Sequence, residues 1–265
     1  MTNTRFAGKT AWVTGADTPV GLAVARELWE EGASLLLSGL SSPPDFEGRD
    51  GQSIAVYPHN PVTDEHALAA LELIDTPDIT VTATRHIDRS SIKEDSAALF
   101  DRYIDDNLTA TWCALKAAAG KLGKQHSGIM LVLSSIHGEK PTAGSPLFSV
   151  ANGGMNMLVR EAAQDMGRLG GRVNMLRYGP LEGDEALLQN DVSGLYHQVE
   201  LRVSRGRAAT PKEIARAALL LCSDDAAFIN GAILTADGGF TGYYMPGDSE
   251  LRWEIGYTGR EVEWE

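Results

Sequence analysis

Several kinds of residue are scarce in this 265-residue chain, and each scarcity narrows what it does. Cysteine occurs twice, at Cys113 and Cys222, with no partner at metal-ligand spacing. That excludes a disulfide scaffold and a cysteine-based metal knuckle; two buried free thiols in a reducing compartment are expected. Basic residues number 23 against 36 acidic ones, giving a formal charge of -13. Such a balance repels phosphate backbones and anionic membranes, so neither is expected as a partner. No apolar run approaches the roughly 18 residues that a membrane-spanning helix needs. The stretch from Met1 to Lys9 is polar, with no apolar signal core. A cytoplasmic location is the expectation.

What is present is enough for one α/β domain. Apolar residues make up 43% of the chain and charged ones 22%, a composition that fills a core and leaves an ordinary surface. Short apolar runs alternate with longer amphipathic ones. KTAWVT runs into Gly15, and a helix is expected over Val20–Glu31, with Val20, Leu22, Ala23, Leu28 and Trp29 as its apolar contacts. Strands are expected at Ser34–Ser38, Ile54–Tyr57, Ile79–Ala83, Ile129–Leu133, from Gly171, and at Ala232–Thr235. Helices fall at Asp64–Ile74, Ala97–Leu122, Ser149–Leu169 and Pro211–Leu221. Nearly continuous apolar strands alternating with helices predict a parallel sheet covered on both faces: a three-layer, doubly wound Rossmann-type fold.

Two segments stand outside the alternation. Residues 181–207 form a long polar stretch, read as a lid-like loop. Residues 241–265 form a tail rich in Tyr, Trp and Glu, expected to pack on its own domain or on a neighbouring subunit. Residues 1–240 are read as the single domain.

Several motifs appear in one order. Thr14-Gly15 follows the first strand and Gly21 opens the first helix. DDNL holds Asn107, LVLSS holds Ser135, RVNML follows, and Gly206-Arg207, TPKEIA and SDDAAFINGAILTADGG close the series. Over residues 5–240 this pattern resembles the short-chain dehydrogenase/reductase (SDR) family. The resemblance implies NAD or NADP as cofactor. It also implies a Tyr that exchanges a proton at the substrate oxygen, a Lys four residues on that lowers the Tyr pKa, a Ser that holds the oxygen, and an Asn that orders a water. Ser135 and Asn107 match the last two. A proton donor of this kind must lie within hydrogen-bond reach and have a tuned pKa.

The Tyr and Lys are missing. FSVANGGMNMLVR aligns with the family's YSASKAALNMLTR-like helix, so Phe148 stands at the Tyr and Asn152 at the Lys; no YxxxK occurs anywhere in the chain. Phe has no proton to exchange and Asn carries no charge. Both are expected to pack and cap. The loops that would meet the cofactor depart as well. The family's TGxxxGxG reads TGADTPVG, with Pro19 where a Gly lets the backbone approach a pyrophosphate. Leu40 stands near the ribose position, with Asp45 and Arg49 further along a Pro-rich loop. Asn60-Pro61 replaces an adenine-side Asp, NNAG becomes TATR with Arg85 at its end, and Pro-Gly becomes Tyr178-Gly179.

The reading ranked first is a non-catalytic SDR-like subunit, with nicotinamide cofactor bound weakly or not at all through a degenerate site at Thr14, Gly15, Pro19, Gly21, Leu40 and Arg85. Its partner is expected to be a copy of itself or an active SDR paralogue, in a dimer or tetramer. The long helix offers Leu99, Tyr103, Leu108, Trp112, Leu115 and Ala119 for core and partner together. An NAD(P)-dependent alcohol–ketone oxidoreductase with a substitute donor ranks second. A non-redox lyase or isomerase ranks third, with His137 or Tyr178 as the acid or base.

Overall fold

The structure is a computed structural model; it describes residues 4–47, 51–88, 90–122, 127–141, 144–183 and 203–242. Its strands are β1 (Thr10–Thr14), β2 (Ser34–Ser38), β3 (Ile54–Tyr57), β4 (Ile79–Thr82), β5 (Gly128–Ser135), β6 (Gly171–Tyr178) and β7 (Ile233–Ala236). All pair in parallel, in the order β3-β2-β1-β4-β5-β6-β7. The chain leaves β1 towards one edge of the sheet, then returns to build the other from β4. The crevice at that reversal, beyond the carboxyl ends of β1 and β4, is where such sheets take ligands.

Strand alternation divides the core. Val13, Leu35, Leu37, Val81, Leu131 and Leu176 face α1 (Pro19–Glu30) and a later helix, Pro211–Cys222. Trp12, Leu36, Met130, Val132 and Met175 face α2 (Asp64–Leu71), α4 (Ala110–Leu122) and α5 (Pro146–Gly167). Burial on both faces explains why these strands read as continuous apolar runs. Trp12 is fully buried, and its indole N–H donates to Ser38 Oγ at 2.9 Å, so its one polar atom is satisfied.

The helices start where their caps dictate. Thr18 is extended and accepts from Gly21 N, which makes Pro19 the first helical residue, a position that needs no N–H. The helix Pro211–Cys222, here α6, begins with a full capping box between Thr210 and Glu213. The expected helix at 97–122 is present but not uniform: α3 (Ala97–Tyr103) passes through a π-turn, Ile104–Thr109, before α4. The fifth helix starts at Pro146, not Ser149, because Ser145-Pro146 supplies its first turn. The second helix ends at Leu71, short of Ile74. Leu22, taken as an apolar contact, is 36% exposed.

Of the long helix's apolar stripe, Tyr103 and Leu115 are buried, Leu99, Leu108 and Ala119 are half-buried, and Trp112 is exposed. The stripe is therefore mostly core, with Trp112 as its outward member. Cys113 and Cys222 are buried free thiols. No helix among the described residues is long and apolar enough to cross a membrane. Most of the lid-like segment and the aromatic tail lie outside the described residues.

Candidate functional site

The site lies at the carboxyl ends of β1, β4, β5 and β6. Its tight turn after β1 is built on Gly15. Gly15 has a φ of 69°, and a Cβ there would lie 2.3 Å from the carbonyl carbon of Ala83. A Cβ on Gly21 would lie 2.0 Å from the carbonyl oxygen of Gly15. The close approach of loop, helix and neighbouring strand thus requires glycine at both positions. Thr14 is fully buried, and its hydroxyl has no hydrogen-bond partner among the described residues.

Four of the turn's backbone donors are engaged within the protein. Gly15 N donates to Asn60 Oδ1 at 2.7 Å, Ala16 N to the Ser38 carbonyl at 3.0 Å, and Thr18 N to the Gly15 carbonyl at 3.0 Å. Gly21 N donates to Thr18 Oγ1 at 3.0 Å. Asn60 also donates to Asp17 Oδ1 at 3.1 Å, tying the loop after β3 to the loop after β1. Leu40 packs half-buried against the core on the α1 side. Asn60 and Asp17 as a linked pair are not legible in sequence, since the two are 43 residues apart.

At the other end of the cleft, β5 delivers Ser134 and Ser135 to the first turns of α5. Asn152, 2% exposed, turns its carboxamide towards the strand. Oδ1 accepts from Ser134 Oγ at 2.9 Å and from Ser135 N at 3.0 Å, while Nδ2 donates to the Phe148 carbonyl at 2.8 Å. Asn152 therefore clamps helix to strand. Ser135, itself buried, caps the short 3-10 turn Ile136–Gly138 by accepting from His137 N at 3.3 Å.

Phe148, 2% exposed, packs with Tyr103 and Leu147. The His137 ring meets it edge-on at 5.9 Å, and the Arg85 guanidinium lies over it at 6.0 Å. Two departures from the family pattern, Phe148 and Arg85, are thus in contact. Tyr103, the phenol packed beside Phe148, is held protonated: burial pushes its pKa up, against the opposing pull of the Asp88 backbone. Its ring sits edge-on to His86 at 4.8 Å.

Asn107 lies in the π-turn and is 1% exposed. Its Oδ1 accepts from His86 N at 2.9 Å; its Nδ2 donates to the carbonyls of His86, at 3.1 Å, and Tyr103, at 2.9 Å. Both amide hydrogens are committed to backbone. Tyr178 pairs in register with Ser135 but packs into the core on the α1 side. Its neighbour Arg177 points to the other face, where it meets Glu139 and donates to Asn156 Oδ1 at 3.2 Å; Asn156 in turn donates to the Gly138 carbonyl at 2.9 Å. An arginine beside the apolar run of β6 is the sequence's signal for that network.

No cluster of three or more His, Cys, Asp or Glu side chains suited to a metal occurs among the described residues. The arrangement brings a serine, an aromatic ring, an imidazole and a guanidinium together. Among the described residues, it does not bring a phenol activated by a nearby ammonium.

The family model described as Enoyl-(Acyl carrier protein) reductase matches residues 15–241. The chain is 32% identical over 245 residues to cis-4-hydroxycyclohexanecarboxylate dehydrogenase of Sinomonas cyclohexanicum, covering 89% of this chain and 98% of that protein. It is 27% identical over 247 residues to cyclopentanol dehydrogenase of Comamonas testosteroni, with 89% and 98% covered. Among solved structures, L-sorbose reductase from Gluconobacter frateurii, complexed with NADPH and L-sorbose, superposes with a TM-score of 0.79 at 21% identity. That match covers 90% of this chain and 98% of the other, a likeness of fold. The seven-stranded parallel sheet, the glycine turn after β1 and these matches lead to one conclusion: the chain belongs to the short-chain dehydrogenase/reductase family.

Proposed function

We propose that this chain is a non-catalytic member of its family, a subunit whose cleft no longer carries out hydride transfer by the family's acid–base route. The observation that carries the reading is the engagement of Asn152. Its carboxamide is held by Ser134, Ser135 and the Phe148 carbonyl. It carries no charge that would acidify a neighbouring hydroxyl, and the residue one helical turn before it, Phe148, has no hydroxyl to acidify. General acid–base help of this kind is worth about 10²–10⁴-fold in rate.

The family's cofactor, NAD(P), meets a mixed set of residues here. The glycine turn keeps the close approach that a dinucleotide needs. Four of its backbone donors, however, are engaged by Asn60, Ser38, Gly15 and Thr18, and Pro19 offers none. At the nicotinamide end, Arg85 and Phe148 stack on one another. These residues do not fit the group well, which supports weak or absent binding. A copy of this chain or an active relative is the proposed partner. Exposed Trp112 on α4, with Val150 and Met157 on α5, supplies apolar surface for it.

A second reading, an alcohol–ketone oxidoreductase with a substitute donor, is favoured by the dehydrogenase names of the relatives. Turnover assays with NAD(H) and NADP(H) over a panel of cyclic alcohols and ketones separate the two. The non-catalytic reading expects no turnover above background. Robust turnover that disappears in Ser135→Ala would overturn it in favour of the second.

A further inference from the structure

At the edge of the sheet opposite the cleft, the amino-terminal ends of β4, β5 and β6 frame a cavity of about 420 Å³, within the size range of small-molecule sites, roughly 300–1,000 Å³. Phe6, Ile79 and Cys222 supply apolar wall. Most of its ionisable groups are already engaged. Arg5 holds Glu31 through two contacts of 2.5 and 2.6 Å, and Lys9 lies 3.6 Å from Asp78. Asp78 also accepts from Thr10 N at 2.8 Å. Burial pushes the Cys222 thiol up to about 12, so it stays neutral.

Three lining groups remain: Arg172, Asp224 and Asp225. Arg172 is 8% exposed. Its Nη1 donates to the Leu221 carbonyl and its Nη2 to that of Ser223 at 2.7 Å, so it caps the end of α6. A guanidinium has five N–H groups. Two are used for the cap, and the other three have no partner among the described residues. No carboxylate there pairs with it within 4.0 Å; the Asp224 charge only acts on it from a distance. Burial lowers its pKa, the mark of a cation without full compensation.

A carboxylate suits the remaining fork of N–H groups. The chain's formal charge of -13 disfavours a plain anion, and Asp224 and Asp225 at the rim add to that. A ligand that brings its own cation removes the objection. We infer that this cavity binds a small zwitterion of the amino-acid class, its carboxylate on Arg172 and its ammonium towards Asp224 and Asp225. The site is separate from the cleft across the sheet and does not depend on what the cleft does.

The test is calorimetric titration of the full chain with β-alanine, propionate and inorganic phosphate, with the Arg172 Nε–H resonance followed by NMR. β-Alanine is expected to bind, to shift that resonance, and to bind at least about tenfold more tightly than propionate or phosphate. Arg172→Lys keeps the charge but loses the fork, and is expected to weaken binding about tenfold or more. Ala227→Trp fills the mouth from an exposed position without removing a side-chain hydrogen bond, and is expected to abolish binding with the melting temperature unchanged. The inference is overturned if β-alanine gives neither heat nor shift at about 10 mM, if propionate or phosphate binds as well, or if Ala227→Trp binds undiminished.

Discussion

The Arg85 guanidinium lies over the ring of Phe148, 6.0 Å from its centroid. Each residue alone reads as a lost family position: a missing glycine on one loop, a missing tyrosine on a helix. Together they form a cation–aromatic contact of the kind worth about 0.5–2 kcal/mol. The two changes are mutually supportive, and they occupy the same end of the cleft.

That coupling bears on reversal. The double variant Phe148→Tyr with Asn152→Lys is expected to remain a poor reductase. An ammonium in place of the Asn152 carboxamide cannot accept the hydrogen bonds from Ser134 Oγ and Ser135 N, and each buried donor left unsatisfied costs about 1–3 kcal/mol. A lower melting temperature and no efficient turnover of a ketone panel are expected. Reduction at ordinary family rates would show that the cofactor site is sound.

Asn60 is expected to matter more to stability than an ordinary loop residue. Asn60→Ala removes the acceptor of the Gly15 N–H and the donor to Asp17. A loss of about 1–2 kcal/mol is expected in denaturant unfolding. If Gly15 N–H is thereby freed for a phosphate, calorimetry with NAD would show tighter binding in the variant. A stability within error of the parent would refute the clamp.

The cap of α6 sets a pH dependence. The Arg207 guanidinium, then the Thr210 backbone, hold the Glu213 carboxyl down at about 2 from an ordinary 4.5. A depressed acid contributes stability that is fully present above pH 4.5 and is lost as pH falls towards 2. Glu213→Gln keeps an acceptor for the cap but not the charge. Because the pair is nearly half exposed, solvent screening limits the expected effect to about 0.5–1 kcal/mol at neutral pH. The difference from the parent should close as the acid limb is descended. A gap that stays constant down to pH 2 would contradict the assignment.

Association is tested by light scattering. The full chain is expected to be at least dimeric at micromolar concentration. Trp112→Glu with Met157→Glu, both at exposed positions, should dissociate it without lowering the melting temperature of the monomer. A version ending at Gly242 tests the tail's share separately. A monomeric parent would reject the partner reading.

The strands were legible in the sequence because burial on both faces leaves a run such as SLLLS or IMLVL with no polar alternation. The loss of a phenol and an ammonium was equally legible, since it follows from the identities of Phe148 and Asn152. Helix starts were less so: Ser145-Pro146 and Thr18-Pro19 mark them only once the cap and the first helical position are told apart. The π-turn at Ile104–Thr109 has no period of its own in the sequence. What the tertiary structure alone decided is what the replacement residues do. Asn152 reaches Ser134 across 18 positions, Asn60 reaches Gly15 across 45, and Arg85 meets Phe148 from another loop. Sequence determines which functional groups a residue brings; only the crossing of strands brings two such groups within hydrogen-bond distance, where their geometry decides whether they clamp, shield or react.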